Sequence, residues 1–264
     1  MKDGRFVGKN CLVTGGGSGI GYATAQKFAE SGARVFIVGR NGARLAKAAE
    51  KLHGETGAEV IAVAGDMSNE KEIERVVAEV GRQAGAIHVL ANCAGRSVSS
   101  MLLDLSAEDW DAILGINLRA VFLLSRCVAK NMIAHKVPHG KIISVSSISS
   151  RMGEFGNGAY SVSKGALNTL TQVMGLEFAQ YGISVTAVCP GYVDTEMLRE
   201  VFETRGPLEG MTAQEYQDYL VGSVPMKRMA DPAEIGGFIR FLATDEANYI
   251  TGVALTMAGG KMLI

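Results

Sequence analysis

Short apolar runs alternate with amphipathic stretches along nearly the whole chain, always in the same order. Residues 10–14, 34–38, 59–63, 87–91, 141–146, 183–188 and 253–256 are apolar runs closed by glycine, asparagine, serine or proline. Runs of this length read as strands covered on both faces. Between them a 3.6-residue period predicts helices over 22–30, 42–53, 69–83, 107–135 and 158–180, and one more after Asp231-Pro232, where an aspartate cap meets a proline at the first helical position. In the 107–135 stretch Trp110, Ile113, Leu114, Val121 and Leu124 mark the packing face. Strands alternate with helices without linker or repeat. The predicted fold is therefore α/β: a single domain over 1–264, with one doubly wound (Rossmann) parallel sheet and helices on both faces. Residues 196–224 break the rhythm and are rich in Met, Glu and Arg, which reads as a mobile substrate lid with short helices.

Composition narrows the function classes. With 264 residues, 47% apolar and 20% charged, the chain can bury a sizeable core. A net charge of −1 argues against a nucleic-acid partner, which would need a basic surface. The 33 glycines follow no collagen period and form no low-complexity tract, so they serve turns and close backbone approaches. Cys11, Cys93, Cys127 and Cys189 are scattered, as expected of small apolar residues in a reducing, cytoplasmic setting. The four histidines, His53, His88, His135 and His139, show no ligand spacing and read as surface-loop residues, so no metal is expected. Residues 1–10 are polar, unlike a signal peptide, and the hydropathy pattern suggests no membrane span.

The first strand is followed by Gly15-Gly16-Gly17-Ser18-Gly19-Ile20-Gly21 and then a helix, the opening of a dinucleotide-binding unit. Small residues let a pyrophosphate approach the backbone, and a helix N-terminus favours its charge. No Gly-Lys-Ser/Thr follows, which disfavours a triphosphate-cleaving loop. The second strand ends at Gly39-Arg40-Asn41, with no carboxylate for ribose hydroxyls and one guanidinium for a 2′-phosphate; this reads as NADP(H) in preference to NAD(H). Asp66, before Met67 and Ser68, suits an adenine amino group or the cap of the next helix. Asn92-Cys93-Ala94-Gly95 is another small-residue turn at a strand end. Asn117 is an amide on an apolar helix, either a core hydrogen-bonder or a ligand for water or a lysine. Tyr160 and Lys164 stand four apart on one helix, so a phenol and an ammonium share a face. The ammonium is expected to lower the phenol's pKa toward proton-transfer range, and a nearby serine to hold a carbonyl oxygen. Ser144, Ser146, Ser147, Ser149 and Ser150 compete for that role on spacing alone.

Together these motifs resemble the short-chain dehydrogenase/reductase family along nearly the whole length. Thr14 to Gly21 is similar to its cofactor loop, Asn92 to Gly95 to its Asn-x-Ala-Gly turn, and Pro190, Gly191 and Thr195 to the loop holding the nicotinamide carboxamide. The resemblance implies a catalytic set of Asn117, Ser147, Tyr160 and Lys164, choosing Ser147 by its separation from the tyrosine. It implies cofactor contacts from Gly15, Ser18, Gly19, Ile20, Gly21, Arg40, Asp66, Met67, Asn92, Ala94, Gly95, Tyr160, Lys164, Pro190, Gly191, Val193 and Thr195. Two departures are visible: Cys93 in the turn, and Met257-Ala258-Gly259-Gly260 without the usual Asp before the paired glycines. The family also implies a homo-oligomer, tetramer or dimer, built on the helices over 107–135 and 158–180.

The implied partner is a small carbonyl or alcohol. The lid length and the Gly-Gly-Lys-Met ending are similar to polyol, sugar and acetoin-type members, with 3-oxoacyl-thioester reductases as competitors. Arg96, Arg151, Glu154, Phe155, Tyr192 and Met197 are candidates to line the pocket, the two arginines for an anionic group. A non-catalytic dinucleotide-binding regulator and a methyltransferase are the alternatives in other classes; neither gives a reason for Tyr-x-x-x-Lys.

Overall fold

A computed structural model describes residues 4–261. Seven parallel strands form one sheet in the order β3-β2-β1-β4-β5-β6-β7. They are β1 (Asn10–Thr14), β2 (Arg34–Gly39), β3 (Val60–Ala64), β4 (Val89–Asn92), β5 (Gly140–Val145), β6 (Ile183–Pro190) and β7 (Val253–Met257). The helices are α1 (Gly19–Glu30), α2 (Gly42–Thr56), α3 (Glu70–Ala84), α4 (Ala107–Leu114), α5 (Ala120–Ala134), α6 (Gly158–Phe178), α7 (Glu196–Arg205), α8 (Ala213–Gly222) and α9 (Pro232–Leu242).

Register explains why the strands read as unbroken apolar runs. Val13 lies opposite Ile37 on one side and Ala91 on the other, and β1 is covered on both faces. One core joins Cys11, Val13, Phe28, Leu45, Ile235 and Ile239 beneath α1, α2 and α9. The second joins Leu12, Phe36, Ile73, Leu124, Val128 and Met174 beneath α3, α5 and α6. Helices on both faces of an all-parallel sheet give the doubly wound Rossmann arrangement.

The sequence expectations shift in two places. Helix α1 begins at Gly19, inside the glycine-rich loop, rather than at 22. The 107–135 helix is broken by a π-helical turn over Gly115–Arg119, with Asn117 fully buried in it. By length and apolar composition alone the 107–134 stretch would also qualify to cross a membrane. Here half of its most apolar part is buried within the fold, with Leu124 and Val128 against the sheet. The 196–224 segment holds α7 and α8 around a small core of Phe202, Tyr216 and Leu220. Met262, part of the Gly-Gly-Lys-Met ending, lies outside the described residues.

Candidate active site

The carboxyl ends of β1, β4, β5 and β6 bring the chemistry-bearing loops to one edge of the sheet, where ligands bind in open α/β folds. The turn after β1 is cut for close approach. Gly15 has φ +67°, and a Cβ on Gly21 would collide with the Gly15 carbonyl oxygen. Ser18 precedes α1 in extended conformation and its hydroxyl makes no cap bond, so the side chain leaves the first amides of α1 unclaimed. Ile20 packs against the core below. Thr195 covers the other side: a Cβ on Gly19 would lie 3.2 Å from its methyl group. A cavity of about 330 Å³ is lined by Ser18, Gly19, Asp194, Thr195 and Glu196. These features fit a pyrophosphate held on backbone amides.

The second turn is tied to the first by Thr14. Its buried hydroxyl accepts from the amides of Cys93 and Ala94, both at 3.1 Å. Asn92 turns its amide nitrogen the other way, donating to Ser125 Oγ and Ser144 Oγ at 3.2 Å, so it knits β4 to β5 and α5. Met67 and Val193 likewise send their side chains into the core. Asp66 does not cap α3. Its Oδ1 accepts from the Ser68 amide (3.0 Å) and hydroxyl (2.8 Å), while Asn69 caps the helix. Gly191 sits against Ala258, where a Cβ would come within 3.0 Å, just after Pro190 at the end of β6.

Asn117, Ser147, Tyr160 and Lys164 converge. A Cβ on Gly95 would lie 3.2 Å from Asn117 Oδ1 and 3.7 Å from Lys164 Nζ, which places both side chains beside the second turn. Asn117 is locked by three bonds: Oδ1 accepts from Arg96 N (2.9 Å), and Nδ2 donates to Arg96 O (2.9 Å) and Ser163 Oγ (3.1 Å). Ser163 in turn donates to the Tyr160 carbonyl at 2.7 Å. Ser147 caps a short 3₁₀ turn, accepting from Ser149 N and donating to Ser149 Oγ at 3.0 Å, and its hydroxyl lies close enough to the Tyr160 phenol to lower its pKa. Among the competing serines, Ser144 and Ser146 are spoken for by Asn92 and by the Lys164 carbonyl.

Lys164 Nζ donates to the Val145 carbonyl at 2.8 Å and lies 5.5 Å from the centre of the Tyr160 ring. The expected depression of the tyrosine is reversed. Burial pushes the Tyr160 phenol up to about 12, against the lowering influence of Ser147, and burial pulls the Lys164 amine down to about 8. Desolvation disfavours both charges, and the ammonium faces the ring and a carbonyl rather than the phenol oxygen.

Two residues escaped the sequence reading. Arg44, in the first turn of α2, reaches Gly17 O (Nε, 3.3 Å) and Glu196 (2.6 Å), bridging the glycine loop and the start of the 196–224 segment. Arg205, buried at the end of α7, pairs with Glu154 at 3.0 Å, and both charges are felt by Tyr160 and Tyr192. Neither was readable because each works across elements distant in sequence. The arginines that were considered for an anionic group are engaged at the surface: Arg96 with Asp109 (3.0 Å) and Arg151 with the Ala254 carbonyl (2.6 Å). Arg40 stands exposed at the end of β2.

A family model for the short chain dehydrogenases matches residues 9–206. The chain belongs to this family. As members do, this short-chain dehydrogenase binds a nicotinamide dinucleotide and is an oxidoreductase acting on carbonyl or alcohol groups. It is 34% identical over 261 residues to oxidoreductase UcpA of Salmonella typhimurium, covering 98% of this chain and 97% of that protein. It is 36% identical to glucose 1-dehydrogenase of Gluconobacter oxydans, covering 98% and 94%. A crystal structure of an actinorhodin polyketide ketoreductase variant with NADPH superposes with a TM-score of 0.91 at 32% identity, covering 96% and 97%. The methyltransferase reading falls away.

Proposed function

We propose that this enzyme is an NADP(H)-dependent carbonyl reductase or alcohol dehydrogenase, with a polyol, sugar or acetoin-like substrate, working in the cytoplasm as a homo-oligomer. The observation that carries the chemistry is the convergence of the Ser147 hydroxyl, the Tyr160 phenol and the Lys164 amine beside Gly95. The dinucleotide, when bound, supplies or receives the hydride at the reacting carbon. Ser147 holds the carbonyl oxygen and Tyr160 gives it a proton. Burial pushes the Tyr160 phenol up to about 12, so it carries its proton at neutral pH, as the reductive direction requires. Lys164 holds the ribose and, once charged, eases loss of the phenolic proton in the oxidative direction. Asn117 keeps the π turn and the Tyr160 backbone in register through Ser163. Gly15 to Gly21 hold the pyrophosphate, and Arg40 a 2′-phosphate.

The buried Glu154–Arg205 pair supports a polar substrate, because it offers both an acceptor and a donor at the Tyr160 end of the cleft. A second reading, 3-oxoacyl-thioester reduction, is favoured by the exposed apolar side chains Leu102, Leu103 and Phe155 and by the polyketide ketoreductase likeness.

A panel of ketoses, diketones and 3-oxoacyl thioesters with NADPH and NADH decides between the two. Turnover on polyhydroxylated or diketone substrates is expected. On the best of them Tyr160→Phe should retain cofactor binding and lose ~10²-fold or more in kcat. Stoichiometric dinucleotide binding without turnover on any class would make the protein a regulator instead.

A further inference from the structure

The amino ends of β1, β4 and β5, opposite the nicotinamide edge, enclose a second cavity of about 340 Å³. Arg5, Lys9, His88, His139 and Lys141 line it, together with Asp245 and Glu246. Lys141 is the unusual member. Its side chain is 2% exposed and its Nζ has no hydrogen-bond partner among the described residues. An ammonium that no group bonds is costly to bury even with the Asp245 charge nearby, and burial lowers the affinity of this amine for its proton. Such a group calls for an anion.

The neighbours are arranged to help one. His88 was expected in a surface loop, yet it is half-buried beside β4, and its Nδ1 accepts from the Asn10 amide at 3.0 Å. That bond places the ring proton on Nε2, so neutral His88 is a donor toward the remaining space. Lys9 holds no ion pair among the described residues and is close enough to disfavour a charge on His88. Of the two carboxylates, Glu246 is matched by Arg5 at 2.6 Å. Asp245, on the exposed rim, is the one group that opposes an anion, and it also favours the charged form of Lys141. Two ammonium groups and two imidazoles thus face one unmatched carboxylate.

We propose that this cavity is a phosphate site: it takes the dianion of inorganic phosphate or of a small phosphomonoester, held by Lys141, Lys9, His88 and His139. Lys141 reaches the ligand by rotation about its terminal carbons. The site is separate from the pyrophosphate cradle at the other end of the sheet and is independent of which carbonyl the enzyme reduces.

The four histidines make the test site-resolved, because His53 and His135 lie elsewhere, bonded to the carbonyls of Ala58 and Asn131. Imidazole NMR of the full chain is followed during titration with sodium phosphate, with glycerol 3-phosphate, and with chloride at matched ionic strength. Saturable shifts of His88 and His139, with His53 and His135 still, are expected for one or both phosphates, and their relative affinities say which source is preferred. Lys141→Met should weaken binding by roughly tenfold or more, the scale of a lost charge-assisted contact. The exposed substitution Asp245→Asn should tighten it, and Lys9→Gln should weaken it even if Lys141→Met does not fold. No saturable shift, an equal response to chloride, or unchanged affinity across these variants would overturn the site.

Discussion

A phenol and an amine buried side by side do not behave as they would on an open helix. Lys164 is 4% exposed, and burial lowers its pKa from 10.5 to about 8. Below pH 8 both the folded and unfolded chains carry this proton, and the fold bears the whole cost of enclosing the charge. Between pH 8 and 10.5 the unfolded state binds more protons, so stability rises with pH across that window. Tyr160 acts oppositely, and only later: its pKa is raised from 10 to about 12, so its contribution falls between those values. Urea unfolding should therefore show a gain from pH 8 to 10 of up to about 2–3 kcal/mol from Lys164. Lys141 shifts in the same direction, so the relevant quantity is the difference between wild type and Lys164→Met. An identical pH slope in the two proteins would mean that the amine is solvated and the buried geometry is wrong.

At the scale of elements, the proposed preference for NADP(H) depends on how β2 passes into α2. Gly39 closes the strand against Leu45, and Asn41 caps the helix by accepting from Arg44 N at 3.0 Å. Arg40 is thus fixed at both ends while its guanidinium stays free to meet a 2′-phosphate. Arg40→Ala should raise the KM for NADPH by ~10-fold or more, the worth of a charge-assisted bond, and leave NADH unchanged. Equal loss for both cofactors would remove the role, and discrimination lost only in Arg44→Ala would move it to the helix. The same junction shows what was legible in the sequence. The sequence of strands and helices, the loop positions and the Tyr160–Lys164 spacing follow from local period, because parallel strands buried on both faces leave continuous apolar runs; the spatial order of the strands does not. The π turn at Asn117 left no such trace, since Ile113, Asn117 and Val121 stand four apart as on an unbroken α-helix. The Thr14 bridge, the inward turn of Asn92 and the Glu154–Arg205 pair depend on partners tens of residues away, where periodicity carries no information.

For the whole molecule, the exposed apolar side chains are where the proposed homo-oligomer is tested. On the α5 and α6 side of the sheet, Phe122, Val173 and Leu176 are exposed, Leu176 to 80%. At the far edge β7 has no strand beyond it, and Val253 and Tyr249 are exposed nearby. Scattered exposed hydrophobics are ordinary, but one as open as Leu176 suits a contact with a second copy. Full burial of one leucine side chain is worth about 1.5–3 kcal/mol, so a two-fold contact that buries Leu176 twice gains more than most surface pairs supply. Light scattering on the purified chain should give a mass of two or four times 27.9 kDa. Leu176→Asp, at a position too exposed to disturb the core, should lower that mass while retaining the circular-dichroism spectrum. Tyr249→Asp tests the β7 edge in the same way, and a tetramer needs both surfaces whereas a dimer needs one. A wild-type monomer, or a mass unchanged in both variants, would return these side chains to ordinary solvent-facing residues and leave the site complete within one chain.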